Sequence, residues 1–303
     1  MRIILIFVFL LLVVSSCSEL FMSPPTIPDH SRYPALDPMH YDVKEKEAST
    51  HDRYEPPLCD NEKVDVLLIV DLSASMSPII SIVFQTIKTF SIQHNENNML
   101  WAIIAGPKNI GTTPGNKNYL QRVSDLTRID KFLSKIEDIN ISQDDMIGQY
   151  EMLYDALYLS LRNLSLYLPY ENDQLLWPTW IGDVLEESDP PIEDFYINWR
   201  DDSKKIIIVF TDEPGQSFLI PKSELGKSYN TMDTITQQKL TKMIATIENI
   251  EAYAFTPQGA CKDGVSGWKP IVDETKGGWH QLTPGVETIS SYLESIMLKD
   301  SCY

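Results

Sequence analysis

The sequence predicts a doubly wound α/β domain, a mostly parallel sheet with helices on both faces, and three observations carry that expectation. Several apolar runs are continuous rather than alternating, as in "VDVLLIVD" at 64–71 and "KKIIIVF" at 204–210. Strands of this kind are buried on both sides, the condition of a parallel sheet covered by helices. Segments with helical spacing separate the runs, as parallel crossovers require. The 303 residues, 43% of them hydrophobic, suffice to fill one sizeable core.

Taken in order, the strand at 64–71 leads into a helical stretch at 78–94. "MLWAIIAG" at 99–106 reads as a second buried strand, and "NYLQRVSDL" at 118–126 alternates like an edge strand. "IDKFLSKIED" at 129–138 and "EMLYDALYLSLRN" at 151–163 carry helical spacing. After the strand "KKIIIVFTDE" come "TITQQKLTKMIATIENI" at 234–250 as a helix and "IEAYAFTP" at 250–257 as a strand. "GGWHQLT" at 277–283 and "VETISSYLESIMLKD" at 286–300 close the chain as strand and helix. Residues 164–203 are too long for a helix-to-strand link and hold Trp177, Trp180 and Trp199, so they read as an aromatic insertion. Its aromatic residues are expected to pack on the domain, at the end opposite the strand carboxyl termini, with a second binding surface there as the alternative.

A net charge of -18 and a pI near 4.6 exclude nucleic acid and anionic lipid surfaces as natural partners, because a polyanion would be repelled. A cation or a basic protein fits better. The N-terminus, "MRIILIFVFLLLVVSSCSEL", has an apolar run from Ile3 to Val14. That is too short for a membrane-spanning helix and suits an export signal. Its end resembles a bacterial lipobox, with Val14, Ser15 and Ser16 before Cys17. The resemblance implies a signal peptide at 1–16 and a lipidated Cys17, so the only membrane contact would be the lipid anchor; a plain signal peptide cut near Ser16 is the alternative. Ser18, where Asp would retain the protein at the inner membrane, favours the outer membrane of a bacterial envelope. Residues 17–58 are polar and rich in proline, a flexible tether of about 35 Å mean reach. His30, His40 and His51 lie there without metal-ligand spacing. The folded domain is expected at 59–303.

Three acidic residues are expected at the carboxyl edge of the sheet, where open α/β sheets bind ligands. Asp71 ends the first strand, Glu151 enters a helix and Asp212 stands at the end of the strand at 205–211. Ser73 and Ser75 follow Asp71 at alternate positions. Carboxylates with hydroxyls form a hard oxygen cage, suited first to magnesium, with calcium or manganese also fitting, and unsuited to zinc. Asp and Ser are also common helix caps, so a metal-free reading stays open.

In these residues the chain resembles the von Willebrand factor type A domain. That family's metal-ion-dependent adhesion site uses Asp-x-Ser-x-Ser, a Thr from a second loop and an Asp from a third. Asp71, Ser73 and Ser75 match the first element, and "VFTDEPG" at 209–215 supplies the third through Asp212. The ending "DETKGGWHQLTPGVETISSYLESIM" at 273–297 is similar to the family's last strand and helix. The resemblance spans about residues 64–300 without the insertion and implies a Rossmann-like fold and a divalent-cation-dependent, adhesion-type module that binds another protein. One departure is clear. Counting back from "YDAL" at 154–157, the position normally held by Thr is Glu151. Glu151 either contacts the metal or caps the helix; as a ligand it would over-neutralise the cation and weaken the pull on a partner's carboxylate.

The loops at 213–230 and 257–267 are expected to flank the site. Cys59, before the first strand, and Cys302, after the last helix, are both expected at the far end, which makes them the expected disulfide, worth up to about 5 kcal/mol; Cys261 remains. His94 and His280 read as structural, and no Ser/His/Asp or Cys/His set or Gly-rich phosphate loop is present. The chain therefore reads as a non-enzyme. The alternative to a metal-dependent binding module is a metal-free structural lipoprotein of an envelope or surface assembly.

Overall fold

The computed structural model describes residues 63–93, 98–106, 120–137, 139, 152–181, 184–187, 192–227, 232–256, 263–282 and 286–298. The elements are β1 (Lys63–Asp71), α1 (Ser77–Gln93), β2 (Met99–Gly106), β3 (Gln121–Thr127), α2 (Ile129–Glu137), α3 (Leu153–Leu161), β4 (Leu175–Leu176), β5 (Pro178–Ile181) and β6 (Val184–Glu187). They continue as β7 (Ser203–Phe210), β8 (Ile220–Pro221), α4 (Gln237–Ile244), β9 (Ile250–Thr256), α5 (Asp263–Val272), β10 (Gly278–Gln281) and α6 (Val286–Leu298). Cys17, Cys59, Cys261, Cys302, Glu151, His94 and the tether lie outside the described residues.

β1 shows why the sheet sits in the middle. From Asp65 onward it is buried throughout, and its side chains divide by parity. Leu67 and Ile69 join α3, α4 and α5 in one core, while Val66, Leu68 and Val70 join α1, α2 and α6 in the other. A continuous apolar run is thus the signature of a strand with a helical layer on each side.

The six-stranded sheet has the order β10-β9-β7-β1-β2-β3. All pairs are parallel except β2 with β3, which is antiparallel at the edge. Counting only these strands, the order is 3-2-1-4-5-6, that of doubly wound nucleotide-binding folds. From β1 the chain crosses to β2 through α1 on one face, and from β7 it crosses to β9 through α4 on the other. The strand order therefore reverses between β1 and β7. The two carboxyl ends at that reversal diverge into different layers and leave a crevice between them.

Two expectations need correction. The segment at 257–267 is not a loop throughout, because Asp263–Val272 is helical despite Gly264, Gly267 and Pro270. Tertiary packing overrides its poor propensity: Trp268, Ile271 and Val272 are buried in the α3 and α4 layer. The insertion is not confined to the far end either. Trp199 donates to Ser160 O at 2.7 Å, near the end of α3, but β4 pairs antiparallel with β8, downstream of Asp212. Trp177 consequently reaches the first turn of α3. The packing expectation holds for Trp177 and Phe195, which are buried and meet edge to face at 5.0 Å.

At the opposite end of the sheet, buried Asp65 is held by Arg200 through Nε at 2.7 Å and backbone N at 2.9 Å, and by Ser203 Oγ at 2.8 Å. This clamp fixes the return of the insertion into β7. A groove at the amino ends of β7 and β9 is lined by Lys204, Glu251, Glu274 and Lys276. Its buried Lys204 and Glu251 pair with each other at 3.0 Å. Among the described residues, no helix is long and apolar enough to cross a membrane.

Candidate functional site

The crevice at the strand-order reversal holds four of the five residues singled out as metal ligands. Asp71, the last residue of β1, is fully buried. Its Oδ1 accepts from Ser73 N at 2.8 Å, which folds the chain back into the 3-10 turn Ala74–Met76. Its Oδ2 accepts from Thr211 Oγ1 at 2.7 Å, the residue next after β7. Thr211 Oγ1 also accepts from Glu213 N at 3.0 Å. Asp71 thus joins the two strand ends that the topology sets side by side.

Beyond it the hydroxyls form a chain. Ser73 Oγ lies 2.9 Å from Ser75 Oγ, and Ser75 Oγ donates to Asp212 Oδ1 at 3.1 Å. Ser73 is buried, whereas Ser75 is exposed and Asp212 half-buried, so the chain runs from the floor of the crevice to its mouth. Sequence reasoning does not single out Thr211, although its place just before Asp212, at a buried strand's end, is a signal that could have found it.

The donor set fits a small hard cation. Neighbouring oxygens around magnesium, bound at about 2.1 Å in an octahedron, lie about 3 Å apart. The observed separations of 2.9 and 3.1 Å are those of hydrogen bonds between these oxygens, so it is the type of donor, hard oxygen, that points to such a cation. All four side chains offer oxygen, which disfavours zinc. Among the described residues no three of His, Cys, Asp and Glu cluster as a metal site; the acidic part here is the pair Asp71 and Asp212.

Glu151 is outside the described residues, but the turn after it is well defined. Met152, at the N-cap of α3, is buried and left-handed, with φ 48°, and its own side chain makes no capping hydrogen bond. A non-glycine residue held there costs on the order of 1 kcal/mol or more. Tyr154 N donates to Gln216 O at 3.1 Å, and the Tyr154 hydroxyl to Gly267 O at 2.9 Å. Gly215 lies against the Tyr154 ring, where a Cβ would come within 1.9 Å of it. Trp268 Nε1 donates to Glu213 O at 3.3 Å. Asp155 in the same turn is fully buried and accepts from Ser217, Trp177, Phe218 and Leu219. Burial raises its carboxyl to about 6, against the opposing pull of those four donors. The sequence signal for it is a lone carboxylate in the apolar run "LYDALYLSL".

His280 belongs to β10, stacks on Phe255 at 5.1 Å and meets the Tyr292 ring at 4.4 Å, tilted by 43°. Its Nε2 is buried without a hydrogen-bond partner, and burial lowers its pKa, in keeping with a neutral structural imidazole.

No protein-family profile matches the chain, and no curated protein matches it. Among solved structures the chain is similar to proximal thread matrix protein 1 from the mussel byssus, at 10% identity over 80% of this chain and 47% of that one, with a TM-score of 0.46. A structure of that protein with a zinc-occupied MIDAS motif aligns at 14% identity over 78% of this chain and 47% of that one, TM-score 0.41. The pilus adhesin SpaC from Lactobacillus rhamnosus GG, in its open conformation, aligns at 13% identity over 79% of this chain and 30% of that one, TM-score 0.45. The chain thus spans less than half the length of each of these solved chains.

The Asp155 environment sets a pH dependence. Its folded pKa of about 6 stands above the ordinary 3.8, so between those values the folded state holds the extra proton and stability falls as pH rises. Urea denaturation of the protein against Asp155→Asn should show their stability difference moving against the native protein by about 3 kcal/mol between pH 3.5 and pH 7. A constant difference would contradict this environment.

Proposed function

We propose that the chain is a von Willebrand factor type A module that binds another protein through a divalent cation, magnesium before manganese or calcium. The observation that carries the reading is the oxygen chain Ser73, Ser75 and Asp212 at the strand-order reversal, a set of hard donors gathered at one sheet edge. Ser73, Ser75 and Asp212 would hold the cation, with buried Asp71 fixing the turn beneath them. The cation would supply a positive centre for an oxygen ligand of the partner. Glu151 would be a further carboxylate in the family's Thr position, making the site less hungry for a partner's carboxylate and better matched to neutral or basic groups. No general base is assigned beside the cage, so the role is binding rather than catalysis.

Calorimetric titration of magnesium into the chelator-treated protein tests this. Specific binding should be lost in Asp212→Ala, and Glu151→Thr should weaken it. Absence of binding up to millimolar ion would favour the second reading, a metal-free structural protein. That reading draws on the hydroxyls and carboxylate satisfying one another by hydrogen bonds without a cation.

The module belongs, in this proposal, on a bacterial envelope, anchored by lipid on Cys17, on the outer membrane rather than the inner, and held off it by residues 17–58. The lipobox-like end of the apolar N-terminal run supports that placement. Radiolabelled palmitate should enter the protein and be absent from Cys17→Ser, which should leave the membrane fraction; equal labelling of the two would contradict the anchor.

A further inference from the structure

A carboxylate placed in an apolar interior costs several kcal/mol unless donors surround it. Asp155 is such a group, and the cation reading assigns it no part. Its donors come from two segments far apart in sequence. Ser217 Oγ bonds to Oδ1, while Oδ2 accepts from Phe218 N at 2.9 Å, Leu219 N at 3.1 Å and Trp177 Nε1 at 2.9 Å. All four donors are neutral, and none belongs to a residue assigned to the cation.

These bonds continue a series. Glu213 O is held by Trp268 of α5, Gly215 rests on the Tyr154 ring, Gln216 O accepts from Tyr154 N, and 217–219 close on Asp155. Residues 215–219 are therefore seated on the first turn of α3, directly after the strained Met152, with Glu213 held by α5. The insertion contributes the fourth donor through Trp177, next to the β4 and β8 pairing. Of the other buried charges among the described residues, Asp71 belongs to the crevice itself, and the rest work at the opposite end of the sheet, where Asp65 is committed to Arg200 and Ser203, and Lys204 to Glu251.

We propose that Asp155 is the positioning residue of the crevice, a buried node that locks the Asp212-bearing segment to α3 and makes the aromatic insertion a structural support of the site. The role in cation binding rests on the reading above; the locking of the segment stands independently of it. The insertion is then coupled to the crevice through this hydrogen-bonded group, beside its backbone pairing of β4 with β8.

Three variants of the full protein test this, with magnesium calorimetry and amide exchange of 217–219 in chelator as separate readouts. Asp155→Ala removes every acceptor. Asp155→Asn keeps an oxygen for Trp177, Phe218 and Leu219 and can turn its amide to Ser217. Trp177→Phe deletes only the insertion's donor. Asp155→Ala should raise the magnesium Kd about tenfold or more, as loss of an outer-shell support does, and speed exchange at Phe218 and Leu219. Asp155→Asn should stay within about threefold of the native protein in both. A role in bulk stability alone would leave the Kd of folded Asp155→Ala within about twofold of native, and that result overturns the proposal. If Asp155→Ala does not fold, Trp177→Phe decides: faster exchange at 217–219 supports the node, and unchanged exchange overturns it. If the native protein binds no magnesium, the cation reading fails while the exchange comparison still decides whether Asp155 locks the segment.

Discussion

The structure depends on the reversal of strand order between β1 and β7. Both strands are buried on two sides, so neither can turn away until its hydrogen-bonded run ends. At that end one chain must cross to the α1 layer and the other to the α4 layer. The gap between them is a product of connectivity, and any polar residue placed at the two strand ends meets across it. Asp71 and Thr211 stand at those positions, and their hydrogen bond of 2.7 Å joins the two halves of the sheet beneath the crevice.

The groups that fill the crevice are arranged in depth. Buried Asp71 fixes backbone and side chains and is committed to structure by Ser73 N and Thr211. Ser75 and Asp212, nearer the solvent, are the groups an incoming cation would meet first. Rigidity beneath and access above are what a binding site needs, because side chains already in place lose little entropy when a ligand arrives. Asp155 extends the same logic sideways. The loop after Asp212 is long, yet it is seated on α3 through backbone groups and one buried carboxylate rather than left to side-chain packing alone.

Much of this was legible in the sequence. The continuous apolar runs announced the two-sided strands, and the alternation in 118–126 announced an edge strand, though not that it runs antiparallel. Asp71, Ser73, Ser75 and Asp212 could be placed together because strand ends in such sheets lie on one edge. α5 escaped notice because Gly264, Gly267 and Pro270 oppose a helix locally and only burial of Trp268 and Ile271 reveals it. The course of the insertion was likewise hidden, since β4 and β8 are two residues each and leave no periodicity to read. Asp155 looked like one more residue of the phrase "YDAL". Its importance comes from Trp177 and 217–219, brought to it from 22 and 62 or more residues away.

The central claim is that Ser73, Ser75 and Asp212 form a cation site at this reversal. The most direct measurement is anomalous diffraction from crystals of the protein grown with manganese after chelator treatment. The account predicts a manganese peak bonded to the Ser73 and Ser75 hydroxyls beside Asp212, and no such peak in Asp212→Ala. Manganese absent from the crevice, with the Ser73, Ser75 and Asp212 hydrogen bonds intact, would contradict it.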